Sequence, residues 1–94
     1  MIAELILRRR KQILVHSCLY YRLNTSLITD RQFDEWAYEL VELQEKYPEI
    51  SKEVPHAAAF EGFDGSTGYD LPYSNIKIVK IAESLIKYNR SVNR

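Results

Sequence analysis

Residues 20–36, YYRLNTSLITDRQFDEW, concentrate the side chains of this chain that could recognise a small molecule. Asp30 and Asp34 stand at i and i+4, so a helix places both carboxylates on one face, and Phe33, three residues after Asp30, lies on an adjoining strip. Tyr20 and Tyr21 close the segment before. If the two segments fold as antiparallel helices, their rings come opposite Phe33 and above the carboxylates, giving an aromatic slot with acidic walls. Such a slot suits a flat cationic heterocycle: ring faces stack, cation–π attraction adds roughly 0.5–2 kcal/mol, and carboxylates accept from amide or hydroxyl donors. Spacing alone leaves a plainer alternative open. Asp30 is then only a first-turn acid serving the helix dipole, Asp34 is solvated near Arg31, and the rings are core.

Other chemistry-bearing patterns are thin. His16 and Cys18 are two apart and point to different sides of a helix, and His56 lies forty residues on, so no metal ligand set is read; a core thiol and surface or capping histidines are expected. Gly62, Gly65 and Gly68 lack the Lys-Ser/Thr of a phosphate-cradling loop. Arg8 to Lys11 cover all sides of a helix, which reads as a solvated face with stems lying over apolar neighbours. The stretch FEGFDGSTGYDLPY, 60–73, holds all three glycines, and its Phe60, Phe63, Tyr69 and Tyr73 beside Glu61, Asp64 and Asp70 either pack back on the helices or meet a protein partner.

These residues need elements to position them, and apolar spacing supplies helices. Ile2, Ile6, Ile13 and Tyr20, with Leu7, Leu14, Cys18 and Tyr21, predict one helix from residue 2 to 23. Asn24-Thr25-Ser26 makes the turn; Thr29 with Gln32 reads as a capping box, with Ile28 as staple, opening a helix over 29–47 that Pro48 ends. Ser51 caps a short helix within 49–59, and Ser74 or Asn75 caps a last one, 75–90, through Ile78, Val79, Ala82, Leu85 and Ile86. The expected fold is all-α: a single helical domain over 1–94, in which a long antiparallel hairpin (1–50), a short helix with a Gly- and aromatic-rich loop (51–74) and a C-terminal helix (75–90) share one core.

Thirteen bases balance thirteen acids, which argues against nucleic-acid or membrane-surface binding driven by bulk charge. The charge is segregated. Residues 1–23 carry five bases against Glu4, a net of +4; residues 24–73 carry three bases against eleven acids, −8; residues 74–94 carry five bases against Glu83, +4. One cysteine and no membrane-length apolar run make the cytoplasm the expected compartment.

Tyr20-Tyr21, the turn 22–29, Asp30-Arg31-Gln32-Phe33-Asp34 and a helix closing at Tyr47-Pro48-Glu49 resemble the N-terminal helical domain of bacterial NAD⁺-dependent DNA ligases, over about residues 10–50. In that family the domain closes over the nicotinamide mononucleotide half of NAD⁺. The resemblance implies that Tyr20, Tyr21, Asp30, Phe33 and Asp34 are ligand residues, rings on the nicotinamide and acids on its amide and sugar-phosphate side. Phe33 departs from the family's usual Tyr, which keeps stacking and loses a hydroxyl. The ligases' separate nucleotidyltransferase domain carries Lys-x-Asp-Gly; here the one Asp-Gly, Asp64-Gly65, follows Gly62-Phe63, so no catalytic residue is assigned and no enzyme activity is expected.

The chain thus resembles stand-alone, ligase-related small proteins of bacterial and prophage type, its tail 50–94 read as private to it. The expected function is non-catalytic binding of a nicotinamide- or ADP-ribose-type nucleotide, NAD⁺ or nicotinamide mononucleotide being ligands rather than cofactors, with homodimerisation a way to tighten the site. The alternative, from a different class, is an interaction module or phage-type inhibitor that engages a host replication, repair or defence protein through the acidic middle and Phe60, Phe63, Tyr69 and Tyr73.

Overall fold

The computed structural model describes residues 1–92, and among these it is helical with turns and no strand. Helix α1 spans Ile2–Ser17, α2 Asp30–Lys46, α3 Pro48–Glu53 and α4 Ile76–Val92. Helices α1 and α2 pack as the expected antiparallel hairpin, and α4 lies against α1. Ile6, Ile13, Leu14, Cys18 and Leu19 from the first segment meet Ala37 and Leu40 of α2, and Ile78, Val79 and Ala82 of α4 close the core. Residues 93 and 94 lie outside the described residues.

The first helix does not run unbroken to Leu23. After Ser17 the backbone widens into a π-helical turn, Cys18–Arg22. Leu23 N–H reaches back to Cys18 O (3.1 Å) and Thr25 N–H to Leu19 O (2.8 Å), with Asn24 in the left-handed region at φ 50°. Asn tolerates that conformation, and the wide turn hands the chain directly into the 24–29 connection. The start of α2 follows the expected cap, Thr29 Oγ1 accepting from Gln32 N–H at 3.0 Å.

Arg8 to Lys11 are not one solvated face. Arg10 is only 2% exposed. Its Nε donates to Gln44 Oε1 (2.9 Å), Nη1 to the carbonyls of Val54 (2.9 Å) and Pro55 (3.2 Å), and Nη2 to that of Ser51 (3.0 Å). The guanidinium also lies 5.9 Å from the centre of the Phe60 ring. Arg9 pairs with Glu39 at 2.8 Å over Trp36, and Arg8 and Lys11 face water.

Pro48 both ends α2 and opens α3, since a first-turn proline needs no hydrogen-bond donor. Ser51 is therefore not a cap. It lies inside α3, buried, its Oγ donating to Tyr47 O at 2.8 Å. Residues 57–59 form turns rather than helix, because Pro55 and His56, at φ 73°, redirect the chain just before them. Asn75 caps α4, its Oδ1 accepting from Lys77 N–H at 2.9 Å, while Ser74 accepts from Arg22.

Candidate functional site

Where the π turn faces the first turns of α2 there is a cavity of about 300 Å³, and Tyr20, Tyr21, Asp30, Phe33 and Asp34 all line it. Tyr20 and Tyr21 come from the π turn; the three α2 residues follow directly from the Thr29 cap, which fixes where the helix begins and so which face carries the carboxylates. Asp34 has no ion pair with Arg31, which instead bonds Glu35 at 3.3 Å in full exposure. Both acids are exposed at the rim.

The two tyrosines divide the work. Tyr20 is 55% exposed and free to lie against a guest. Tyr21 turns toward the tail: its ring meets Tyr20 (4.9 Å) and Tyr69 (5.2 Å) edge-on and stacks on Tyr73 (5.8 Å), and its hydroxyl bonds Thr67 Oγ1 at 2.9 Å. Tyr21 is thus both a wall of the cavity and an anchor for the glycine loop.

That loop adds a wall to the slot. Ser66 and Thr67 line the cavity together with the hairpin residues. Asp64 Oδ1 holds the turn by accepting from Ser66 N–H (2.9 Å) and Ser66 Oγ (2.6 Å), and these bonds pull the Asp64 carboxyl below its ordinary range. Gly68 presses on Ser17 so closely that a Cβ there would collide with the serine Oγ. Ser17 Oγ itself is buried without a hydrogen-bond partner among the described residues. No local signal in the sequence places Ser66 or Thr67 in the site.

His16 also lines the cavity, its ring 5.5 Å from Trp36. It is not a surface or capping residue; burial lowers its pKa and favours the neutral imidazole. Its position four before Tyr20, one helical turn away, is the signal that could have found it. Cys18 is a core thiol, its pKa raised by burial.

The loop aromatics do not form the exposed set expected of a partner surface. Phe60 is 2% exposed and packs edge-on to Phe63 at 5.1 Å in the core, beneath the Arg10 guanidinium. Phe63 and Tyr73 pack against the core as partly buried rings, and Tyr69 is the exposed member at 62%. Burying these rings offsets part of the entropic cost of ordering a loop with three glycines. Among the described residues no group of three or more His, Cys, Asp or Glu could hold a metal ion, and no helix is long and apolar enough to cross a membrane.

Residues 1–54, which contain His16, the π turn and all three α2 site residues, match the family described as DNA ligase-like, N-terminal NAD⁺-binding domain. The chain belongs to this family. Among its curated relatives, the DNA ligase of Thermotoga petrophila is 28% identical over 98 aligned positions, which take in 99% of this chain and 14% of that ligase. The DNA ligase of Methylococcus capsulatus gives the same figures, and that of Pseudothermotoga lettingae is 39% identical over 49 positions, 52% of this chain and 7% of the ligase. This NAD⁺-binding-domain chain therefore spans about one seventh of the length of the ligases it matches first. The alignment also runs through the tail, so residues 50–94 are not private to this chain, as their packing onto the hairpin would lead one to expect. No solved structure matches.

Proposed function

We propose that the slot binds a nicotinamide- or ADP-ribose-type nucleotide, and that this chain holds or senses the ligand without catalysing a reaction on it. The observation that carries the reading is one cavity gathering Tyr20, Tyr21, Asp30, Phe33 and Asp34 inside the segment that matches an NAD⁺-binding domain. Its volume of about 300 Å³ is at the small end of ligand pockets, which suits a nicotinamide ring with its ribose rather than a whole dinucleotide. Tyr20 and Phe33 stack on the ring, Asp30 and Asp34 accept from amide and ribose donors, and Ser66 and Thr67 cover the guest from the loop side. No lysine that could take a nucleotidyl group lines the cavity.

A half-site of this kind binds modestly. Nicotinamide mononucleotide, with about 22 non-hydrogen atoms at roughly 0.3 kcal/mol each, reaches a Kd on the order of 10 μM. Calorimetry against nicotinamide mononucleotide, NAD⁺ and ADP-ribose should give saturable heat with at least one of them. Asp34→Ala and Phe33→Ala should each weaken it about tenfold or more, the loss of one charged or stacked contact being worth about 1.4 kcal/mol or more; the exposed Asp34 should leave the melting temperature in place, while Phe33, packed against the core, should lower it. Absence of heat with every ligand at millimolar concentration, or binding indifferent to both substitutions, refutes the reading.

A further inference from the structure

We infer that the slot reads only the positive half of such a nucleotide: its preferred ligand is an N-glycosylated pyridinium cation of the nicotinamide riboside type, and a 5′-phosphate adds no affinity. The inference rests on the nucleotide-binding reading and narrows its ligand class. Its ground is the charge of the lining. Two carboxylates, Asp30 and Asp34, stand with the ring faces of Tyr20, Tyr21 and Phe33, and the remaining polar walls are the hydroxyls of Ser17, Ser26, Thr29, Ser66 and Thr67 with the His16 imidazole; no Lys or Arg lines the cavity. The adjoining groove, formed by Tyr20, Tyr21, Asn24, Thr25 and Ser26, has no cation either.

A phosphate leaving the ribose finds no cation in the lining of either place. The cations nearest in sequence lie outside both linings. Arg22 donates to Ser74, Arg31 pairs with Glu35, Arg9 is shared between Glu39 and Gln12, and Arg10 is inside the core. The N-terminus of α2, where backbone N–H groups attract anions, has its Gln32 N–H taken by Thr29 and already holds the Asp30 carboxylate in its first turn. His16 adds no positive charge at neutral pH, since burial favours its neutral form. A guest carrying +1 on its ring is therefore attracted by the walls, and the same guest with a phosphate dianion is net negative beside two carboxylates.

The test compares nicotinamide riboside with nicotinamide mononucleotide by calorimetry on the full chain, at low and high salt. The expected result is that the nucleoside binds at least as tightly, up to about tenfold tighter at about 0.05 M salt, and that the ratio narrows at about 0.5 M salt as the charges are screened. Asp30→Asn and Asp34→Asn, which keep the shape and remove the charge, should each move the ratio toward the phosphorylated ligand. Tighter binding of the mononucleotide to the wild type, or a ratio untouched by both substitutions, overturns the inference and leaves nucleotide binding standing. Binding of neither compound overturns both.

Discussion

A guanidinium buried without a carboxylate is tolerable only when acceptors replace its water, and Arg10 meets that condition with three backbone carbonyls and the Gln44 side chain. The carbonyls of Ser51, Val54 and Pro55 belong to the end of α3 and the turn after it, so one side chain ties that segment to α1. Arg10→Met should cost about 3–5 kcal/mol in chemical denaturation, because the loss strands buried acceptors as well as removing bonds. Arg10→Lys should recover less than half of that, since a compact ammonium cannot span four acceptors. The histidines make a second prediction. Burial lowers the pKa of both His16 and His56, with Lys11 and Arg10 adding to the effect at His56. The unfolded chain therefore takes up protons first: the stability is present above about pH 6.5 and is lost as pH falls through the folded values. Thermal melts between about pH 7 and 5 should show this decline, and the double variant His16→Gln, His56→Asn should flatten it. Asp64 acts with the same sign further into the acid range.

At the scale of elements, the slot depends on how the glycine loop seats against α1. Gly68 leaves no room for a methyl beside Ser17, so Gly68→Ala should destabilise by about 1–3 kcal/mol and lift Ser66 and Thr67 from the slot. Ser17→Ala removes the colliding oxygen, which is also an unpartnered buried hydroxyl, and should be neutral or slightly stabilising. A double-mutant cycle by urea unfolding should show the pair costing less than the sum of the singles; strict additivity would mean that the loop does not seat there. The start of α2 is set by one bond, and Thr29→Ala should cost about 1 kcal/mol. Because Asp30 and Asp34 take their positions from that first turn, and Thr29 itself lines the cavity, the same substitution should also weaken ligand binding.

At the scale of the molecule, α4 completes the core. Ile78, Val79 and Ala82 are buried against the hairpin, and Leu85 and Ile86 pack around them. A chain this small buries too little apolar surface to lose a helix, so one truncated after Tyr73 should melt without a cooperative transition in calorimetry. A sharp transition would show that the hairpin stands without α4. The charge segregation has a counterpart in the fold: basic α1 and α4 lie together, and acidic α2 covers α1 from another side, with the Arg9–Glu39 pair crossing between them. That pair is partly exposed and contributes little to stability on its own.

The helices, the Thr29 cap and the five slot residues between 20 and 34 were legible in the sequence because each depends on neighbours within a turn or a short loop. Apolar spacing fixes which face is buried, and a hairpin with a short connection leaves its ends few ways to meet. Tertiary structure alone decided that Arg10 is buried, that the last turn of the first segment is π-helical, that Phe60 is core, and that Ser66 and Thr67 line the slot. The acceptors of Arg10 come from 34 to 45 residues away and Thr67 meets Tyr21 across 46. An arginine in a basic run carries no local mark of such partners. Whether a polar group is wet or satisfied inside is set by which carbonyls the distant chain delivers to it, and periodicity is blind to that.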